Sequence, residues 1–464
     1  MNKRLPRILR AITSQGVGGG AAELFAGIAR KLRRRFPAPT VTTVDYLGSE
    51  YEREVERPPQ IRLQPVGKQT GARLNVVMPH LLKTQGFGGI WSAVFLARHL
   101  SNHYSDVRFI SLDYPLKGEL FQPDELVADP AQTRIEMVDL ASNQVLECHE
   151  HDIFLCTAWW TVLAWESYAA ALVERNFRVN PFYYFIQDFE PGFHAFGSQY
   201  ALALRTYSHG EHTSAICNSE ELAEYLRGEG FSFHKEYTLK PSLHPKLKGY
   251  LEQHQAGIPR SGDSTVHILC YGRPREARNC FPILLRGLHL YFSHVPEHKR
   301  SGFSVISAGN SHPDIILCPG VVVKSVGKVT FEDYIELLTW ADIGVSLMVS
   351  PHPSYPPLEM AAFGAITITN NFANKDLSGG HPLIRTIDHA TPDLLAQALE
   401  KAVPEAIRRQ NIKRDAVLPQ ALSQLPWQDN IRAAGILPLV SQNQSARPVH
   451  EATGNQPENG VGHL

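Results

Sequence analysis

The chain has little of what marks a disulfide-stabilised or metal-binding protein. Its 464 residues contain only six cysteines, which are scattered and form no CxxC pair. This distribution predicts reduced thiols, most of them buried, in a cytoplasmic chain. The 21 histidines show no HExxH motif or other metal-ligand spacing. A cysteine or histidine metal site is therefore not expected.

The chain also lacks a long apolar run and an excess of charge of one sign. Its longest mostly apolar stretch, 153–165, is too short to span a bilayer and fits a buried strand followed by a helix. The net charge of -1 argues against nucleic acid as a partner. With 43% hydrophobic and 20% charged residues, the composition is typical of a soluble globular protein with two or three domains.

The N-terminus is basic. Residues 1–36 hold nine Lys and Arg residues against one acid, Glu23, which gives a net charge of +8. The segment lacks the long apolar core and the small-residue cleavage site of a signal peptide. Apolar residues recur beside the basic cluster at helical spacing. Two interpretations stay open: a helix that lies on an anionic membrane surface, and a solvated arm that packs on its own domain.

Apolar strands alternate with helices over most of the chain. The pattern predicts strands at 74–78, 107–112, 153–158, 182–186 and 214–217. A polar stretch then interrupts it, and it restarts with strands at 267–271, 303–307, 343–348 and 366–369. Buried strands joined by helices predict an α/β protein with two doubly wound parallel sheets.

This alternation also sets the expected domain boundaries. We expect a basic arm at 1–70, a first domain at 71–245, a linker at 246–264, a second domain at 265–430 and a disordered tail at 431–464. A ligand site is expected in the cleft between the two domains, at the carboxyl ends of their strands.

The most informative segment is 354–364, with the sequence SYPPLEMAAFG. Pro356 and Pro357 fit the first turn of a helix, where N–H groups have no intrahelical partner, and Gly364 ends it. The unpaired N–H groups and the helix dipole favour an anion. One turn into the helix, the carboxylate of Glu359 can accept from both hydroxyls of a vicinal diol. The segment suits a nucleoside diphosphate, although a capped amphipathic helix with a solvated Glu359 fits the same pattern.

A second polar segment, GRPREARN, comes directly after the predicted strand at 267–271. It places Arg273 and Arg278 five residues apart, where both can point into the cleft. Guanidinium groups bind phosphate oxygens and would neutralise a departing diphosphate. A solvated basic turn explains this segment equally well on its own. Taken together with the helix at 354–364, the two arginines favour a nucleotide site.

These segments resemble the donor domain of family 4 glycosyltransferases, in which Gly-Arg-x4-Lys/Arg precedes Pro-Leu-Glu-(Met/Ala)-Ala-x-Gly. Three more segments are similar to the WsaF-type rhamnosyltransferases: TAWWT from Thr157, YFIQDFEP from Tyr184 and SPHPSYPPLE from Ser350. NFANKDLS, at 371–378, adds to the resemblance, which runs from about 70 to about 430. It implies the GT-B fold, with two Rossmann-like domains facing across a cleft, and a nucleotide-sugar donor.

The resemblance also implies roles for particular residues. Arg273 and Arg278 would hold the diphosphate, with Arg278 where the family usually has Lys. Glu359 would bind the hydroxyls of the nucleotide ribose. The donor pocket would be lined by Tyr355 and by the backbone of Pro357 and Leu358.

A glycine-rich loop of the first domain would approach the donor closely, because glycine has no Cβ. This loop contains Gly86, Phe87, Gly88 and Gly89. Asn310 comes after the predicted strand at 303–307 and can face the base or a phosphate from its carboxyl end. An ordinary turn position is the alternative for Asn310.

The sequence departs from the family pattern at two places. The family usually has a second glutamate eight positions before the ribose-binding one, and here that position is Pro351. Because that glutamate meets hydroxyls of the donor sugar, its loss fits a donor with fewer hydroxyls, such as a 6-deoxy sugar. The strand of the first domain often ends in His-Asp, and here the pair is Gln187-Asp188. Asp188 and Glu190 then become the acidic catalytic candidates, with capping of the next turn as their alternative role.

The resemblance thus implies a glycosyltransferase that moves L-rhamnose from dTDP-L-rhamnose, with retention, onto a growing cell-surface polysaccharide such as a rhamnan. Asp188 would be the general base if the reaction inverts instead. The arginines and the helix at Pro356 supply positive charge, so no metal or other cofactor is expected. A lipid-linked glycan acceptor would place the protein at the inner membrane face. A nucleotide-sugar epimerase on the same fold and a non-catalytic carbohydrate-binding protein stay open as alternatives.

Overall fold

The computed structural model describes residues 58–64, 71–83, 88–142, 145–255, 257–259, 264–410, 412 and 414–443. Within them the chain begins with β1 (Gln60–Leu63), which pairs in parallel with β5 (Val145–Cys148). The first large sheet contains β2 (Arg73–Met78), β3 (Asp106–Ser111), β4 (Arg134–Asp139), β6 (Ile153–Cys156), β7 (Phe182–Ile186), β8 (Thr213–Cys217) and β9 (Lys235–Thr238). All of its strands are parallel, in the order β4-β3-β2-β6-β7-β8-β9.

The second large sheet lies later in the chain. It contains β10 (Val266–Gly272), β11 (Phe303–Gly309), β12 (Ile315–Cys318), β13 (Val321–Gly327), β14 (Ile343–Val345), β15 (Ile366–Asn370) and β16 (Ile384–Ile387). The strand order is β12-β13-β11-β10-β14-β15-β16. Only the edge strand β12 is antiparallel to its neighbour, β13.

Helices connect the strands of both sheets. Those of the first half are α1 (Gly88–Leu100), α2 (Pro123–Leu126), α3 (Trp159–Glu174), α4 (Ser198–Arg205), α5 (Glu220–Gly228) and α6 (Pro245–Gln253). Those of the second half are α7 (Phe281–His294), α8 (Phe331–Trp340), α9 (Tyr355–Ala362), α10 (Pro392–Arg409) and α11 (Trp427–Ala433).

Each large sheet is covered on both faces. Neighbouring residues of β2 show this, because Val76 packs in one apolar cluster and Val77 in another. Successive side chains of a strand point to opposite faces, so a strand covered on both faces is apolar throughout. The second sheet separates two clusters in the same way, with Ile268 in one and Leu269 in the other. The predicted α/β class with two doubly wound sheets is confirmed.

Some predicted elements differ in extent from the observed ones. The strand predicted at 343–348 ends at Val345. After it the chain turns toward the loop beyond β10, where the Val349 N–H donates to the carbonyl oxygen of Arg278 over 2.8 Å. Residues 246–253 of the predicted linker are helical, since α6 packs Leu247 and Leu251 into the second core. Residues 60–63, predicted as part of the arm, form β1; residues 1–57 and 65–70 lie outside the described residues.

The predicted disordered tail is wrong for residues 431–443. Ile431, Ile436 and Leu439 are buried in the core of the first sheet, which explains why this segment is ordered. The Leu439 N–H donates to the hydroxyl of Tyr183 over 2.7 Å and to that of Tyr104 over 3.1 Å. Residues 444–464 lie outside the part of the chain that the structure describes.

The chain therefore crosses between its two halves twice. The first crossing leads from β9 to α6, and the second leads back to α11, which packs against α1. The two crossings are hydrogen-bonded to each other. Asn430 Nδ2 donates to Ser242 Oγ over 3.1 Å, and the Ser423 N–H donates to the carbonyl oxygen of Pro241 over 2.7 Å.

Candidate active site

The carboxyl end of β10 brings two of the predicted site residues together. β10 ends at Gly272, and the Nε of the next residue, Arg273, donates to Asn310 Oδ1 over 3.2 Å. The Asn310 N–H in turn donates to the carbonyl oxygen of Gly272 over 2.8 Å. Gly309 has a φ of +144°, and a Cβ there would lie 2.3 Å from that same carbonyl oxygen. Glycine is therefore required at this position for the strands to carry Arg273 and Asn310 side by side.

A single carboxylate lies between the two predicted diphosphate-binding arginines. Arg273 Nη2 donates to Glu276 Oε1 over 3.0 Å, and Arg278 Nη1 donates to Glu276 Oε2 over 3.3 Å. The two guanidinium groups thus already share one anion. Sequence reasoning assigned Glu276 no role, although its place between Arg273 and Arg278 in the motif was a usable signal. The arrangement gives each arginine a defined orientation at the end of β10.

Arg278 also meets the first half of the chain. Its Nε lies 3.8 Å from Asp188 Oδ2, and its guanidinium carbon lies 3.8 Å from the centre of the Phe193 ring. The other carboxylate oxygen of Asp188 accepts hydrogen bonds from Ser350 Oγ and from the Phe189 N–H. Two predicted catalytic residues, one located after β7 and the other after β10, are therefore in contact. The carboxyl ends of the two sheets face each other at this point.

Further buried polar groups surround Asp188. Lys375 is buried, and its Nζ donates to the carbonyl oxygen of Met348 over 2.7 Å. Burial lowers the pKa of Lys375 to about 8, while the charge of Asp188 opposes that shift. An ammonium group therefore stays available as a counter-charge to Asp188 at neutral pH. Lys375 lies in the family-like segment 371–378, but no role for it was predicted.

His352 also links the two halves of the chain. Its Nδ1 accepts from the Ser354 N–H over 3.0 Å, and its Nε2 lies 3.4 Å from Asn218 Nδ2, just beyond β8. Burial lowers the pKa of His352 to about 4, so the ring is neutral at neutral pH. Since Nδ1 accepts a hydrogen bond, the ring proton lies on Nε2. Asn218 Nδ2 is also a donor, so the ring can donate to Asn218 only when the amide is turned to present Oδ1. The residue after Pro351 thus contacts the first half of the chain.

Glu190, two residues after Asp188, is buried. Its Oε2 accepts from the Trp159 N–H at the start of α3 over 2.6 Å and from the Tyr184 hydroxyl over 3.2 Å. Burial raises the pKa of Glu190 to about 8, so most of this carboxyl group is protonated at neutral pH. These contacts favour a structural role at the first turn of α3. A catalytic role for Glu190 stays a prediction.

The segment 354–364 forms the expected helix. Tyr355 is the first residue of α9, with Pro356 and Pro357 in the first turn, and Gly364 lies just after the helix with a φ of +87°. Glu359 is buried one turn in, where its Oε2 accepts from the Tyr334 hydroxyl on α8 over 2.8 Å. Burial raises the pKa of Glu359 to about 7, whereas the hydrogen bond from Tyr334 lowers it. The interpretation as a solvated carboxylate is wrong.

The other predicted donor-pocket residues have different surroundings. Pro357 and Leu358 are buried, and the Leu358 side chain belongs to a core cluster of the second sheet, so only its backbone is a candidate for ligand contact. Tyr355 packs against the core of the first sheet. Tyr355, the first residue of α9, therefore bridges the two halves.

The predicted glycine-rich loop is described only in part, since Gly86 and Phe87 lie outside the described residues. Gly88 and Gly89 begin α1. A Cβ on Gly89 would lie 2.5 Å from Gln187 Oε1, so this glycine permits a close approach to the side chain before Asp188. The predicted approach of Gly88 and Gly89 to the donor stays a prediction.

The described residues offer neither a metal site nor a membrane-spanning helix. No group of three or more His, Cys, Asp and Glu side chains among them is arranged to hold a metal ion. All six cysteines are unpaired, and five of them are buried, as the sequence predicts. No helix in the described ranges is both long enough and apolar enough to cross a membrane.

Solved structures with a similar fold include Anabaena HepE in complex with UDP and glucose. The alignment covers 78% of this chain and 98% of HepE, with 12% identity and a TM-score of 0.50. Sucrose-phosphate synthase from Thermosynechococcus elongatus aligns with 78% of this chain and 94% of its own, with 12% identity and a TM-score of 0.48. Two facing parallel sheets with Arg278 at the site between them define the GT-B fold, and the matches to both WsaF domain models identify a glycosyltransferase.

The chain belongs to the WsaF family. The model of the WsaF N-terminal domain matches residues 73–220, and the model of the WsaF C-terminal domain matches residues 266–400. A curated relative is the O-antigen biosynthesis protein RfbC of Myxococcus xanthus, which is 29% identical over 285 residues. That match covers 60% of this chain and 20% of RfbC, so the chain spans about a fifth of the length of this relative.

Proposed function

We propose that the protein transfers a sugar from a nucleotide donor to a glycan acceptor during the synthesis of a cell-surface polysaccharide. The observation that carries this proposal is the pair Arg273 and Arg278, held around one carboxylate, with Arg278 facing Asp188 across the cleft. The similarity to an O-antigen biosynthesis protein supports the polysaccharide product, and the complex of HepE with UDP and glucose supports a nucleotide-sugar donor.

In this proposal the donor diphosphate takes the place of the Glu276 carboxylate between the two arginines. Phosphate oxygens are the preferred ligands of guanidinium groups, and two arginines stabilise the negative charge that develops on the leaving diphosphate. The start of α9 adds the positive end of a helix dipole, although Pro356 and Pro357 carry no N–H group. Glu359, oriented by Tyr334, accepts hydrogen bonds from the sugar of the nucleotide when it is ionised, and in dTDP the deoxyribose offers its 3′-hydroxyl.

We further propose that the anomeric configuration is retained. Asp188 is engaged on both carboxylate oxygens, by Ser350 on one side and by Arg278 on the other. These contacts favour deprotonation of the acceptor by the leaving phosphate over deprotonation by Asp188. NMR assignment of the anomeric centre of the product tests this. An inverted product would refute retention and would make Asp188 the general base.

L-Rhamnose, carried by dTDP, is the proposed donor sugar. The family supports it, and so does Pro351, which cannot accept hydrogen bonds from sugar hydroxyls as a glutamate would. A radiolabelled donor screen against rhamnose-terminated acceptors tests the assignment. Preferential transfer from a hexose donor would refute it, and turnover of donor without acceptor would indicate an epimerase.

The arginine pair provides the direct test of the transferase site. Replacing both residues, Arg273→Ala with Arg278→Ala, is expected to abolish measurable transfer and dTDP binding. Arg286→Ala, on the exposed surface of α7, removes a guanidinium group elsewhere in the same domain and serves as the matched control. Unchanged turnover and dTDP affinity in the double variant would rule out the diphosphate role.

We also propose that the acceptor is lipid-linked and that residues 1–36, with their net charge of +8, contact the anionic inner membrane face. Co-sedimentation with vesicles containing phosphatidylglycerol, with and without these residues, measures the contact. Equal binding of both forms would remove this part of the proposal.

A further inference from the structure

A buried lysine lies in the turn beyond β15. The strand ends at Asn370, and Phe372 and Lys375 then pair through two backbone hydrogen bonds of 3.1 Å and 2.8 Å. Ala373, between them, has a φ of +48°. The Lys375 residue is only 1% exposed. Because burial of an ammonium group costs free energy, buried lysines are paired with compensating groups.

Hydrogen bonds satisfy this ammonium group only in part. Lys375 Nζ donates to the carbonyl oxygen of Met348 over 2.7 Å, and that oxygen also accepts from Asn370 Nδ2 over 3.1 Å. Within the described part of the chain this is the one hydrogen bond of the ammonium group, which has three protons to donate. Burial has the largest effect on the pKa of Lys375, and the charge of Asp188 has the largest opposing effect. Asp188 is therefore the main counter-charge of Lys375.

The titratable groups that interact with Lys375 come from four different elements. Asp188 follows β7, Glu221 lies in α5, Cys280 precedes α7 and His352 follows β14. Burial raises the pKa of Cys280 and lowers the pKa of His352 to about 4, so the thiol and the imidazole are uncharged at neutral pH. The anions that act on Lys375 are thus the carboxylates of Asp188 and Glu221.

Lys375 is also connected to Asp188 through the loop beyond β14. The carbonyl group that Lys375 binds belongs to Met348, and two residues later the hydroxyl of Ser350 donates to Asp188. The Ser350 hydroxyl in turn accepts from the His352 N–H over 3.0 Å. Loss of the Lys375 ammonium would therefore release one anchor of the loop that orients Asp188.

The turn with Lys375 is attached to the first domain as well. Asn374 Nδ2 donates to the carbonyl oxygen of Glu221, in the first turn of α5, over 2.7 Å. This contact joins the loop beyond β15 to the domain that carries Asp188. The facing arrangement of the two domains therefore brings the charge of Lys375 to Asp188.

A second cation beside Asp188 matters most when donor is bound. In the free protein, Arg278 Nε lies 3.8 Å from Asp188 Oδ2. In the proposed function the donor diphosphate binds Arg278, so this guanidinium group is shared with a new anion. Like charges repel strongly where water is excluded. Lys375 then supplies positive charge to Asp188 from a buried position.

We propose that Lys375 is a positioning residue of the transfer reaction, which keeps Asp188 ionised and in place beside the donor diphosphate. It acts through its charge and through its hydrogen bond to Met348. Lys375 does not contact the donor in this arrangement, so it affects turnover more than donor affinity. This inference rests on the proposed transferase function and adds a residue outside the donor site.

The charge interaction can be tested without catalysis. The full-length protein is labelled with lysine carrying 13C at Cε, and the Lys375 signal, identified by its loss in Lys375→Arg, is titrated by NMR. Burial lowers the pKa of Lys375 to about 8 and the charge of Asp188 raises it, so Asp188→Asn is expected to shift the titration to lower pH. Asp124→Asn, an exposed carboxylate of α2, is the control. An unshifted titration in Asp188→Asn would overturn the proposal.

Steady-state kinetics tests the effect on turnover. Lys375→Met is expected to lower kcat about 10- to 100-fold, as for a misplaced reacting group, and to change dTDP affinity less than about threefold. Lys401→Met, on the exposed surface of α10, is the matched control. Wild-type kcat in Lys375→Met would overturn the proposal. A loss of dTDP affinity as large as the loss of kcat would also overturn it, because Lys375 would then be a ligand of the diphosphate.

The dependence of kcat on pH separates positioning from a purely structural role. In wild type kcat is expected to fall as the pH rises through about 8, where Lys375 loses its proton. The fall should be absent in Lys375→Arg, since arginine keeps its charge. Burial raises the pKa of Glu190 to about 8 as well, so Glu190→Gln is measured in parallel and should keep the fall. The same fall in wild type and Lys375→Arg would overturn the proposal.

The outcomes distinguish this inference from the proposed function. If wild type transfers no sugar, the proposed function fails, while the NMR titration still decides whether Lys375 pairs with Asp188. If wild type transfers sugar and Lys375→Met does so equally fast, the proposed function stands and the role of Lys375 fails. If Lys375→Arg is inactive, the shift of the Lys375 titration in Asp188→Asn decides.

Discussion

The guanidinium group of Arg278 and the carboxylate of Asp188 approach each other across the cleft, with Nε 3.8 Å from Oδ2. One residue lies beyond a strand of the first sheet and the other lies beyond a strand of the second. The pair therefore forms only when the two domains face each other as they do here. Ser350, which donates to the same carboxylate, adds a second link from the second domain.

Asp188→Asn should reduce transfer strongly. The amide keeps the shape of the side chain but removes the charge that faces Arg278 and Lys375, and loss of a group at the reacting centre typically costs about 100-fold or more in kcat. Steady-state kinetics with the nucleotide-sugar donor measures the effect. Asp124→Asn, an exposed carboxylate of α2, is the control. A variant with wild-type kcat would show that Asp188 has no part in the reaction.

Glu276→Gln should bind nucleoside diphosphate more tightly. In the structure the Glu276 carboxylate accepts from both arginines, and an incoming diphosphate has to compete with it. Removing the charge is expected to strengthen dTDP binding by about three- to tenfold, which corresponds to roughly 0.7–1.4 kcal/mol. Calorimetric titration measures it, with Glu297→Gln on the exposed surface as the control. Weaker binding would mean instead that Glu276 mainly orients Arg273 and Arg278.

Nucleotide affinity should depend on pH through Glu359. Its pKa is raised by burial to about 7, and the ionised carboxylate accepts a hydrogen bond from the deoxyribose 3′-hydroxyl of dTDP more strongly than the protonated carboxyl group does. Affinity for dTDP is therefore expected to rise between about pH 6 and pH 8, and Glu359→Gln should flatten that rise. If wild type and Glu359→Gln show the same dependence of dTDP affinity on pH, that dependence does not come from Glu359.

The same raised pKa predicts a change in stability with pH. Because the folded-state pKa lies above the unfolded one, the contribution of Glu359 is fully present below about pH 4 and is lost as the pH rises through about 7. Glu359→Gln should therefore gain stability relative to wild type between about pH 5 and pH 8. Urea unfolding of wild type and Glu359→Gln at about pH 5 and about pH 8 measures this. The same difference in unfolding free energy at both pH values would contradict it.

Leu439→Ala should destabilise the fold. The Leu439 side chain is buried in the core of the first sheet, and truncating a buried leucine typically costs about 2–5 kcal/mol. Leu437→Ala offers a matched control two residues away, because Leu437 is 55% exposed. Urea unfolding should show a clear loss for the first variant and a change within about 0.5 kcal/mol for the second. Equal effects would mean that the segment is not held in the core.

The sequence allowed prediction of those features that depend on local rules. Arg273 and Asn310 come directly after buried strands, and the carboxyl ends of neighbouring parallel strands lie at a common edge of the sheet. The helix with Pro356, Pro357 and Gly364 could be predicted from proline and glycine preferences. The fold class was predictable from the alternation of apolar strands and helices.

Other features depend on contacts between distant parts of the chain. The contact of Ser350 with Asp188 joins residues 162 positions apart, and no local pattern indicates it. The burial of Glu359 beneath Tyr334 depends on how α8 packs against α9, so the carboxylate is enclosed and the alternative of a solvated Glu359 fails. Residues 431–443 are predicted as part of a tail because the end of the chain is rich in Gln, Asn, Gly and Pro, while their order comes from apolar contacts with the first core.

The two hydrogen-bonded crossings between the domains have a mechanical consequence. A single connecting segment allows one domain to swivel about the other, whereas two connections joined by the Asn430–Ser242 and Ser423–Pro241 hydrogen bonds behave as a strip. Two connections linked side by side allow bending about one axis more easily than twisting. Opening of the cleft should therefore keep to one bending direction, so that Arg278 separates from Asp188 and returns to it along the same path at each turnover.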